Sequence, residues 1–296
     1  MLSEGFVNLD KPAGWTSHDC VAKLRRLLRE RRIGHGGTLD PAVTGVLPIA
    51  VGRATRLLPY LPSGKTYVGT IRLGLQTSTD DLSGDRLAEA DTSHLPLTAI
   101  EAVLPQFLGQ IQQQPPQVSA VQVQGQRLYQ LARQGKAPVD LPWRTVEIQV
   151  IRILGWRPGA QAELDLEVQC GAGTYIRSLA RDLGAALGVG GTLAELRRTA
   201  SSGFEISTST PLTDLLDGAP VPLLALDSPL QYLAVVRLAE EASDRWRQGQ
   251  AIPITITDLP AVEGSPARVY CPQNRFLGIG TITAGLCKPK VVLAAI

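Results

Sequence analysis

Two long segments with a strand pattern, joined by a tight turn, most constrain the fold of this chain. They cover residues 144–156 and 162–170, and a turn sequence containing Pro and Gly lies at residues 157–159, which together predict a long β-hairpin. Other strand patterns, such as residues 66–75, are interspersed with helical ones, such as residues 174–187. The order does not repeat as a regular strand–helix–strand series. We therefore expect an α+β fold.

The length of the chain predicts more than one domain. Its 296 residues correspond to about two domains at roughly 150 residues each. Three prolines lie within residues 220–229 and predict a linker there, and short strand patterns follow it. We expect a large domain over residues 1–228 and a small β-rich domain over residues 229–296.

Composition is that of an ordinary globular protein. Hydrophobic residues make up 44% and charged residues 19%, which excludes disordered and low-complexity classes. No apolar run reaches the ~18 residues of a membrane-spanning helix, and the first ten residues lack the features of a secretory signal. The expected location is therefore the cytoplasm. Four cysteines without C-x-x-C spacing and three scattered histidines predict neither a disulfide framework nor a zinc site.

The charges are unevenly distributed although the net charge is only +2. Arginine outnumbers lysine 23 to 6, and arginine is the side chain suited to phosphates and flat rings. Residues 17–32 predict an amphipathic helix capped by Thr16 or Ser17, and its segment 23–32 holds six basic residues against one acid. Residues 80–101 hold six acids against one base. This asymmetry favours a polyanionic partner such as nucleic acid, and the alternative is a solvated helix face.

A glycine-rich loop over residues 34–41 is the first candidate for a site. Its three glycines allow the backbone to approach a ligand closely, and Asp40 supplies a carboxylate. Pro41 disfavours the helical conformation for Asp40, which would leave the carboxylate at the lip of a loop. An Asp-Pro pair is also typical of a helix start, with Asp as cap and Pro as first helical residue, and the local pattern by itself favours that interpretation.

A second candidate lies at residues 170–179. Here a strand pattern ends, glycines turn the chain, and a helix pattern begins with Tyr175 and Arg177 in its first turn. A cation is electrostatically unfavourable at a helix N-terminus, so Arg177 suggests an anionic partner. The alternatives are a surface arginine and a tyrosine packed in the core.

Several motifs in a fixed order resemble the TruB family of tRNA pseudouridine synthases. In chain order they are residues 9–12 with 14–17, residues 34–49, residues 65–67, residues 119–121 with 125–133, residues 173–177 and residues 196–199. The resemblance covers about residues 5–205. Residues 229–296 match more loosely and resemble the small PUA-like RNA-binding domain of bacterial members. Gly36, Gln122 and Ala172 depart from the residues that the family often has at these positions.

The resemblance implies a fold and a reaction. The fold is the pseudouridine synthase fold, with a mixed, mainly antiparallel central sheet. The reaction isomerises the uridine at position 55, in the T-loop of tRNA, to pseudouridine, and it needs no cofactor or metal. Asp40 matches the nucleophile. Arg177 and Tyr67 would support it, Arg177 by favouring the ionised carboxylate.

Binding residues are implied in the same way. The target base is stacked in folded RNA and has to be flipped out, and Tyr67 would stack on the flipped uracil. Tyr175 and Leu196 would form walls of the pocket, and His35 would lie near the vacated position. Asp81 is a weaker candidate for a contact with RNA.

Phosphate contacts and partners complete the expectations. The arginine-rich helix and the pair Arg197 and Arg198 would meet phosphates. The expected partner is the T-stem-loop of tRNA, bound by a monomer without an obligate protein partner. Two other functions stay open, namely a guide-RNA-dependent pseudouridine synthase that works with protein partners and a non-catalytic RNA-binding or RNA-folding protein.

Overall fold

The computed structural model describes residues 4–118, 122–123, 126–127, 141–254 and 263–293. In chain order the strands are β1 (Gly5–Lys11), β2 (Ile33–His35), β3 (Thr44–Val51), β4 (Lys65–Leu73), β5 (Leu75–Thr77), β6 (Arg86–Glu89), β7 (Gly109–Gln113), β8 (Gln122–Val123), β9 (Gln126–Arg127), β10 (Arg144–Arg157), β11 (Glu163–Cys170), β12 (Gly191–Ser201), β13 (Phe204–Glu205), β14 (Thr210–Pro211), β15 (Ala234–Arg237), β16 (Ile252–Pro253), β17 (Pro266–Tyr270), β18 (Phe276–Thr283) and β19 (Leu286–Val292). The α-helices are α1 (Ser17–Leu28), α2 (Leu97–Val103), α3 (Ile176–Ala186), α4 (Leu212–Leu216) and α5 (Glu240–Arg247), and a 3₁₀ helix covers Gly52–Tyr60.

The chain divides into two compact units. The first unit comprises residues 1–41, 46–62 and 201–296, and the second comprises residues 42–45 and 63–200. Strand β3 therefore contributes its first two residues to the second unit and the remainder to the first.

The first unit contains parallel and antiparallel pairs. Strand β1 runs parallel to β14, and β2 runs antiparallel to β3 with His35 opposite Ile49. The C-terminal strands form a separate five-stranded sheet in the order β15-β17-β18-β19-β16. This sheet confirms the expected β-rich C-terminal part.

The second unit is built on the predicted hairpin. Strands β10 and β11 pair antiparallel from Ile148↔Cys170 to Arg157↔Glu163, and β11 pairs antiparallel with β4 on its other side. Strand β12 pairs in parallel with the first two residues of β3. The mixed, mainly antiparallel pairing confirms the expected fold class.

One glycine allows that parallel pair to form. Gly45 has a φ of +105°, and a Cβ at this position would lie 2.2 Å from the backbone oxygen of Arg198. Any other side chain would overlap the neighbouring main chain, so the glycine is needed for the close approach of the two strands.

The predicted amphipathic helix forms as α1, with Thr16 as its cap. The Thr16 hydroxyl accepts a hydrogen bond from the Asp19 N–H at 3.0 Å, and the Asp19 carboxylate accepts one from the Thr16 N–H at 2.9 Å. This reciprocal pair is a capping box. The helix ends at Leu28, before the predicted residue 32, because Arg29 adopts a left-handed conformation with a φ of 51°.

Other sequence-based expectations differ from the structure. The sequence predicts irregular structure for residues 110–114, but residues 110–113 belong to β7, which pairs with β10. Residues 77–91 are polar and acidic and predict a loop, but β6 lies within them and pairs with β5 in a short hairpin. The middle motif at residues 119–133 lies almost entirely outside the described residues. Within the described part of the chain, no helix is long and apolar enough to cross a membrane.

Side chains from both ends of the chain share one core in the first unit. Phe6, Val46, Ala50 and Leu57 pack with side chains from the C-terminal region, which are Leu230, Leu233, Ile279, Val291 and Leu293. Arg53 and Arg56 also donate hydrogen bonds to the backbone oxygens of Leu293 and Val292. A domain boundary at residue 229 stays a prediction, and this core shows that the segments on its two sides are packed together.

Removal of residues 229–296 is therefore expected to destabilise the remaining chain, because it exposes the apolar side chains of this core. Thermal unfolding and light scattering should show a lowered melting temperature or aggregation. The variant Ile279→Ala tests the same core without truncation and should cost about 2–5 kcal/mol of unfolding free energy. The exposed Leu87→Ala is the control and should change little. A truncated protein that melts like the full chain would show that residues 1–228 fold without the contribution of residues 229–296 to this core.

Candidate functional site

The loop that carries Asp40 connects β2 to β3 in the first unit. Residues 41–42 form a turn and β3 begins at Thr44, so no helix starts at Asp40. The interpretation of Asp40 as a helix cap is therefore wrong. The residues after the turn include three valines and Pro48, which favour a strand and oppose a helix interior. Asp40 is half-buried at the surface of this unit.

Hydrogen bonds hold the backbone on both sides of Asp40. The Ser17 hydroxyl accepts from the Leu39 N–H at 2.9 Å and donates to the Leu39 carbonyl at 3.2 Å. The Gly14 N–H donates to the Pro41 carbonyl at 2.9 Å. The connection from β1 to α1 therefore fixes the loop immediately before and after the carboxylate.

A buried lysine joins the same two segments. Lys11 is fully buried, and its ammonium group donates to the carbonyl oxygens of Pro12 at 2.9 Å, Trp15 at 2.7 Å and Pro41 at 3.2 Å. A buried charge requires such partners, since its desolvation is otherwise very costly. Sequence reasoning included Lys11 in a family motif but assigned it no role.

His35 lies at the end of β2, where the loop begins. It is half-buried, and its ring meets the ring of His18 edge-on with 5.8 Å between the centroids. His18 belongs to α1 and was not predicted as a site residue. The contact links α1 to the start of the loop.

In the second unit, Tyr67 and Leu196 lie together. Tyr67 is on β4 opposite Val168 of β11, and it is buried. With Leu196 it lines a narrow cavity whose other lining residues are Gly69, Ile71, Leu166, Val168, Ile176, Leu179 and Leu193. The cavity has a volume of about 10 Å³, the lower limit for one water molecule. Its walls are apolar except for the tyrosine.

The two consecutive arginines of β12 have different environments. Arg198 is fully buried and lies within hydrogen-bonding reach of the Tyr67 hydroxyl. Arg197 is half-exposed and donates to the Thr44 hydroxyl at 3.2 Å. Adjacent side chains on a strand point to opposite faces, which separates the pair. The expectation that both meet phosphates is therefore wrong for Arg198.

Burial shifts the pKa values of Arg198, Lys65 and Cys170. It lowers the pKa of the Arg198 guanidinium below its usual range. Burial also lowers the pKa of Lys65, and the positive charge of Arg198 adds to the effect. The pKa of the neighbouring Cys170 thiol is raised, because burial disfavours the thiolate.

Arg177 lies in the first turn of α3 and is buried. Its guanidinium donates to the carbonyl oxygens of Thr79 at 3.2 Å and Val118 at 2.9 Å. One of its nitrogens is 3.6 Å from the carboxylate of Asp81, which also accepts from the Thr79 hydroxyl at 2.7 Å. One anion that faces this helix start is thus Asp81, which was predicted as an RNA contact.

Tyr175 caps the N-terminus of α3 and is half-exposed. Its side chain makes no capping hydrogen bond, and its backbone is held by Gln113 of β7. Sequence reasoning did not identify Gln113, because glutamine in a polar stretch gives no distinctive signal.

Metal ligation has no candidate in the described part of the chain, where no group of three or more His, Cys, Asp or Glu is placed to hold an ion. The four cysteines are buried thiols.

Comparison with protein families gives three matches along the chain. Residues 25–176 match the N-terminal domain of the TruB family of pseudouridylate synthases. Residues 177–221 match a C-terminal domain of tRNA pseudouridylate synthase B, and residues 234–293 match the C-terminal part of pseudouridine synthase II TruB.

Similar proteins extend over the whole chain. A Synechococcus elongatus protein named tRNA pseudouridine synthase B is 82% identical over 296 residues, which is 100% of both chains. A Trichormus variabilis protein of the same name is 51% identical over 297 residues and 99% of both chains.

Two solved structures resemble this one. A chain of a Cbf5–Nop10–Gar1 complex has a TM-score of 0.70 and 30% identity, covering 94% of this chain and 78% of that one. A chain of an H/ACA RNP bound to a substrate RNA containing 2′-deoxyuridine has a TM-score of 0.72 and 27% identity, covering 99% and 86%.

Replacement of the buried lysine tests its role in the loop. Lys11→Met removes the ammonium group and leaves three carbonyl oxygens without this donor, so the unfolding free energy should fall by about 1–3 kcal/mol. Chemical denaturation measures that loss, and hydrogen exchange should show faster exchange of the Leu39 and Gly14 amides. Lys23→Met on α1 is the matched control and should stay within about 0.5 kcal/mol of the original protein. Equal stability and exchange in Lys11→Met would contradict the assignment.

Proposed function

Because the chain belongs to the TruB family of pseudouridylate synthases, we propose that it isomerises the uridine at position 55 in the T-loop of tRNA to pseudouridine. The observation that carries this proposal is 82% identity over the full length with a protein named tRNA pseudouridine synthase B. In the reaction the N1–C1′ bond breaks, the base turns, and a C5–C1′ bond forms, while C5 loses its proton and N1 gains one. Substrate and product are isomers, so the overall reaction requires no added reactant. The enzyme would act on tRNA in the cytoplasm.

Asp40 is the proposed nucleophile. It is a carboxylate on a loop whose backbone is hydrogen-bonded on both sides, at Leu39 and at Pro41. A reacting group held in this way has already lost much of its freedom before substrate binds, which lowers the entropic part of the barrier. A nucleophilic carboxylate can attack the sugar or the base and later leave unchanged.

Arg177 and Tyr67 take supporting roles in the proposal. The fixed positive charge of Arg177 would favour an ionised nucleophile. Tyr67 would present its ring to the flipped uracil, and its hydroxyl is restrained by the buried Arg198. The apolar cavity beside Tyr67 is too narrow for a pyrimidine ring, so a base stacked on this tyrosine would lie at its mouth.

The remaining pocket residues are assigned from the family motifs. Leu196 shares the cavity with Tyr67 and would supply an apolar wall. Tyr175 would form a second wall from the start of α3, and His35 would lie near the position that the base vacates.

The main alternative is a guide-RNA-dependent pseudouridine synthase. Its support is the similarity to chains from protein and RNA–protein complexes. The chain covers only 78% of the Cbf5–Nop10–Gar1 chain at 30% identity, compared with the whole of the Synechococcus protein at 82%. This difference favours an enzyme that works alone. A non-catalytic RNA-binding protein would have no use for a half-buried carboxylate beside a bound polyanion.

One assay separates these functions. The purified protein is incubated with an unmodified T-stem-loop RNA, without guide RNA, other proteins or cofactors, and pseudouridine is measured. Conversion of the uridine at position 55 supports the proposal. Binding without conversion would favour the non-catalytic function, and conversion only after guide RNA and partner proteins are added would favour the guided enzyme.

Asp40→Asn should abolish turnover and keep RNA binding. The rate of pseudouridine formation under single-turnover conditions should fall by at least about 10³-fold, the scale on which loss of a catalytic side chain acts. The affinity for RNA should be equal or higher, because a negative charge is removed beside a polyanion. Asp85→Asn in an exposed loop is the matched control and should convert RNA normally. Substantial turnover by Asp40→Asn would exclude Asp40 as nucleophile.

The basic surface of α1 and the residues after it should contribute to binding through phosphates. Arg26, Arg29 and Arg32 are exposed, whereas Arg25 is hydrogen-bonded to the Ile33 carbonyl. Replacing the three exposed arginines with Gln should reduce the slope of log affinity against log salt by about 2, since each phosphate contact contributes about 0.7–0.9.

The control for this variant has the same loss of charge in the second unit. It carries Gln at Arg86, Arg152 and Arg157, which are paired with carboxylates. Its salt slope should stay close to that of the original protein. An equal slope in all three proteins would mean that the basic surface is only solvated.

A further inference from the structure

Helix α3 begins without the usual side-chain cap. Ser, Thr, Asp and Asn are the preferred cap residues, because their side-chain oxygen accepts from a free backbone N–H. Tyr175 occupies the cap position of α3 and makes no such bond. Arg177, which the proposed mechanism requires, is only two residues further on. The start of α3 therefore receives no hydrogen bond from the side chain of its own cap residue.

The side chain of Gln113 instead bonds to the backbone of this cap residue, from 62 residues away. Its Oε1 accepts from the Tyr175 N–H at 2.8 Å, and its Nε2 donates to the Tyr175 carbonyl at 3.0 Å. The side chain is 1% exposed, so water does not compete for these bonds. One amide thus satisfies both backbone polar groups of Tyr175.

The neighbouring backbone strengthens the link. The carbonyl oxygen of Gln114 accepts from the Ser178 hydroxyl at 2.8 Å and from Arg181 at 3.0 Å. Gln113 itself is the last residue of β7, where it lies opposite Arg144 of β10. The first turn of α3 is therefore tied to the edge of a sheet rather than held only by its own helical bonds.

We propose that Gln113 is a positioning residue for the isomerisation, acting through the Tyr175 backbone on Arg177. The inference rests on the proposed function and adds a residue that does not touch the substrate. Displacement of the Tyr175 backbone moves the base of the Arg177 side chain directly. A misplacement of about 1 Å in a reacting constellation can cost about 10²-fold in rate. Loss of the two hydrogen bonds between Gln113 and Tyr175 should thus slow the chemical step more than it weakens RNA binding.

The experiment compares two substitutions of Gln113 with one at its neighbour. Gln113→Leu removes both hydrogen bonds with little change in size. Gln113→Glu is nearly isosteric and keeps the acceptor for the Tyr175 N–H while losing the donor to its carbonyl. Gln114→Ala is the matched control, because within the described residues its side chain donates to the Leu141 carbonyl and not to α3, and its backbone bonds to α3 persist. Single-turnover rate at saturating tRNA, tRNA affinity and melting temperature are measured for each.

The expected result is a split between rate and binding. The single-turnover rate of Gln113→Leu should fall by about 10- to 100-fold, and that of Gln113→Glu by at least about 10-fold. The dissociation constant for tRNA should stay within about threefold, measured well below the melting temperature of each variant. Gln114→Ala should match the original protein in rate and affinity.

Two results would overturn the inference while leaving the proposed function intact. One is a single-turnover rate in the folded Gln113 variants that equals the rate of the unsubstituted protein. The other is a loss of rate that is matched by an equal loss of affinity and is also seen in Gln114→Ala, which indicates a general structural role. If Gln113→Leu does not fold, Gln113→Glu decides by the same criteria. Absence of conversion by the original protein would instead overturn the proposed function, and this inference with it.

Discussion

The ammonium group of Lys11 is surrounded by three backbone carbonyl oxygens, and this interaction determines the geometry of the Asp40 loop. Two of those oxygens belong to the connection after β1, and the third belongs to Pro41, directly after Asp40. Since removing a charge from water is costly, the chain has to keep all three carbonyls close to the ammonium group. Segments 30 residues apart are thereby held together, and the carboxylate is presented on a backbone with little freedom.

Some arginines of this protein stabilise its fold from buried positions, and others lie on its surface. Arg177 and Arg198 are both buried, and each is hydrogen-bonded within the second unit, Arg177 to backbone carbonyls and Arg198 to Tyr67. The guanidinium group suits this use because its planar fork holds several acceptors at once. The excess of arginine over lysine therefore does not translate directly into a count of phosphate contacts. The exposed arginines of α1 and the residues after it are a different population, and they are the ones available to a polyanion.

Much of the architecture could be predicted from local sequence because the signals were long. The hairpin of β10 and β11 carries many residues of strand pattern around one turn, and the capping box of α1 is a purely local device. Strand β7 escaped prediction because its glutamines carry no apolar periodicity. The pair Asp40 and Pro41 was wrongly interpreted as a helix start, because the same pair also occurs in loops. The two cases differ only in the residues after the turn. Lys11 could not be predicted as buried, since an isolated lysine is nearly always solvated.

The candidate site residues were predicted from ordered motifs, because the long-range contacts that assemble a site leave little trace in local periodicity.

The close approach of β3 and β12 at Gly45 has a genetic consequence. Every missense change in a glycine codon introduces a side chain with a Cβ atom. At this position that atom would meet the main-chain oxygen of Arg198 at 2.2 Å, and a main-chain oxygen cannot rotate away as a flexible side chain can. Every amino-acid substitution reached from the Gly45 codon is therefore expected to be disruptive. The codon can change only synonymously, unless a whole strand shifts to compensate.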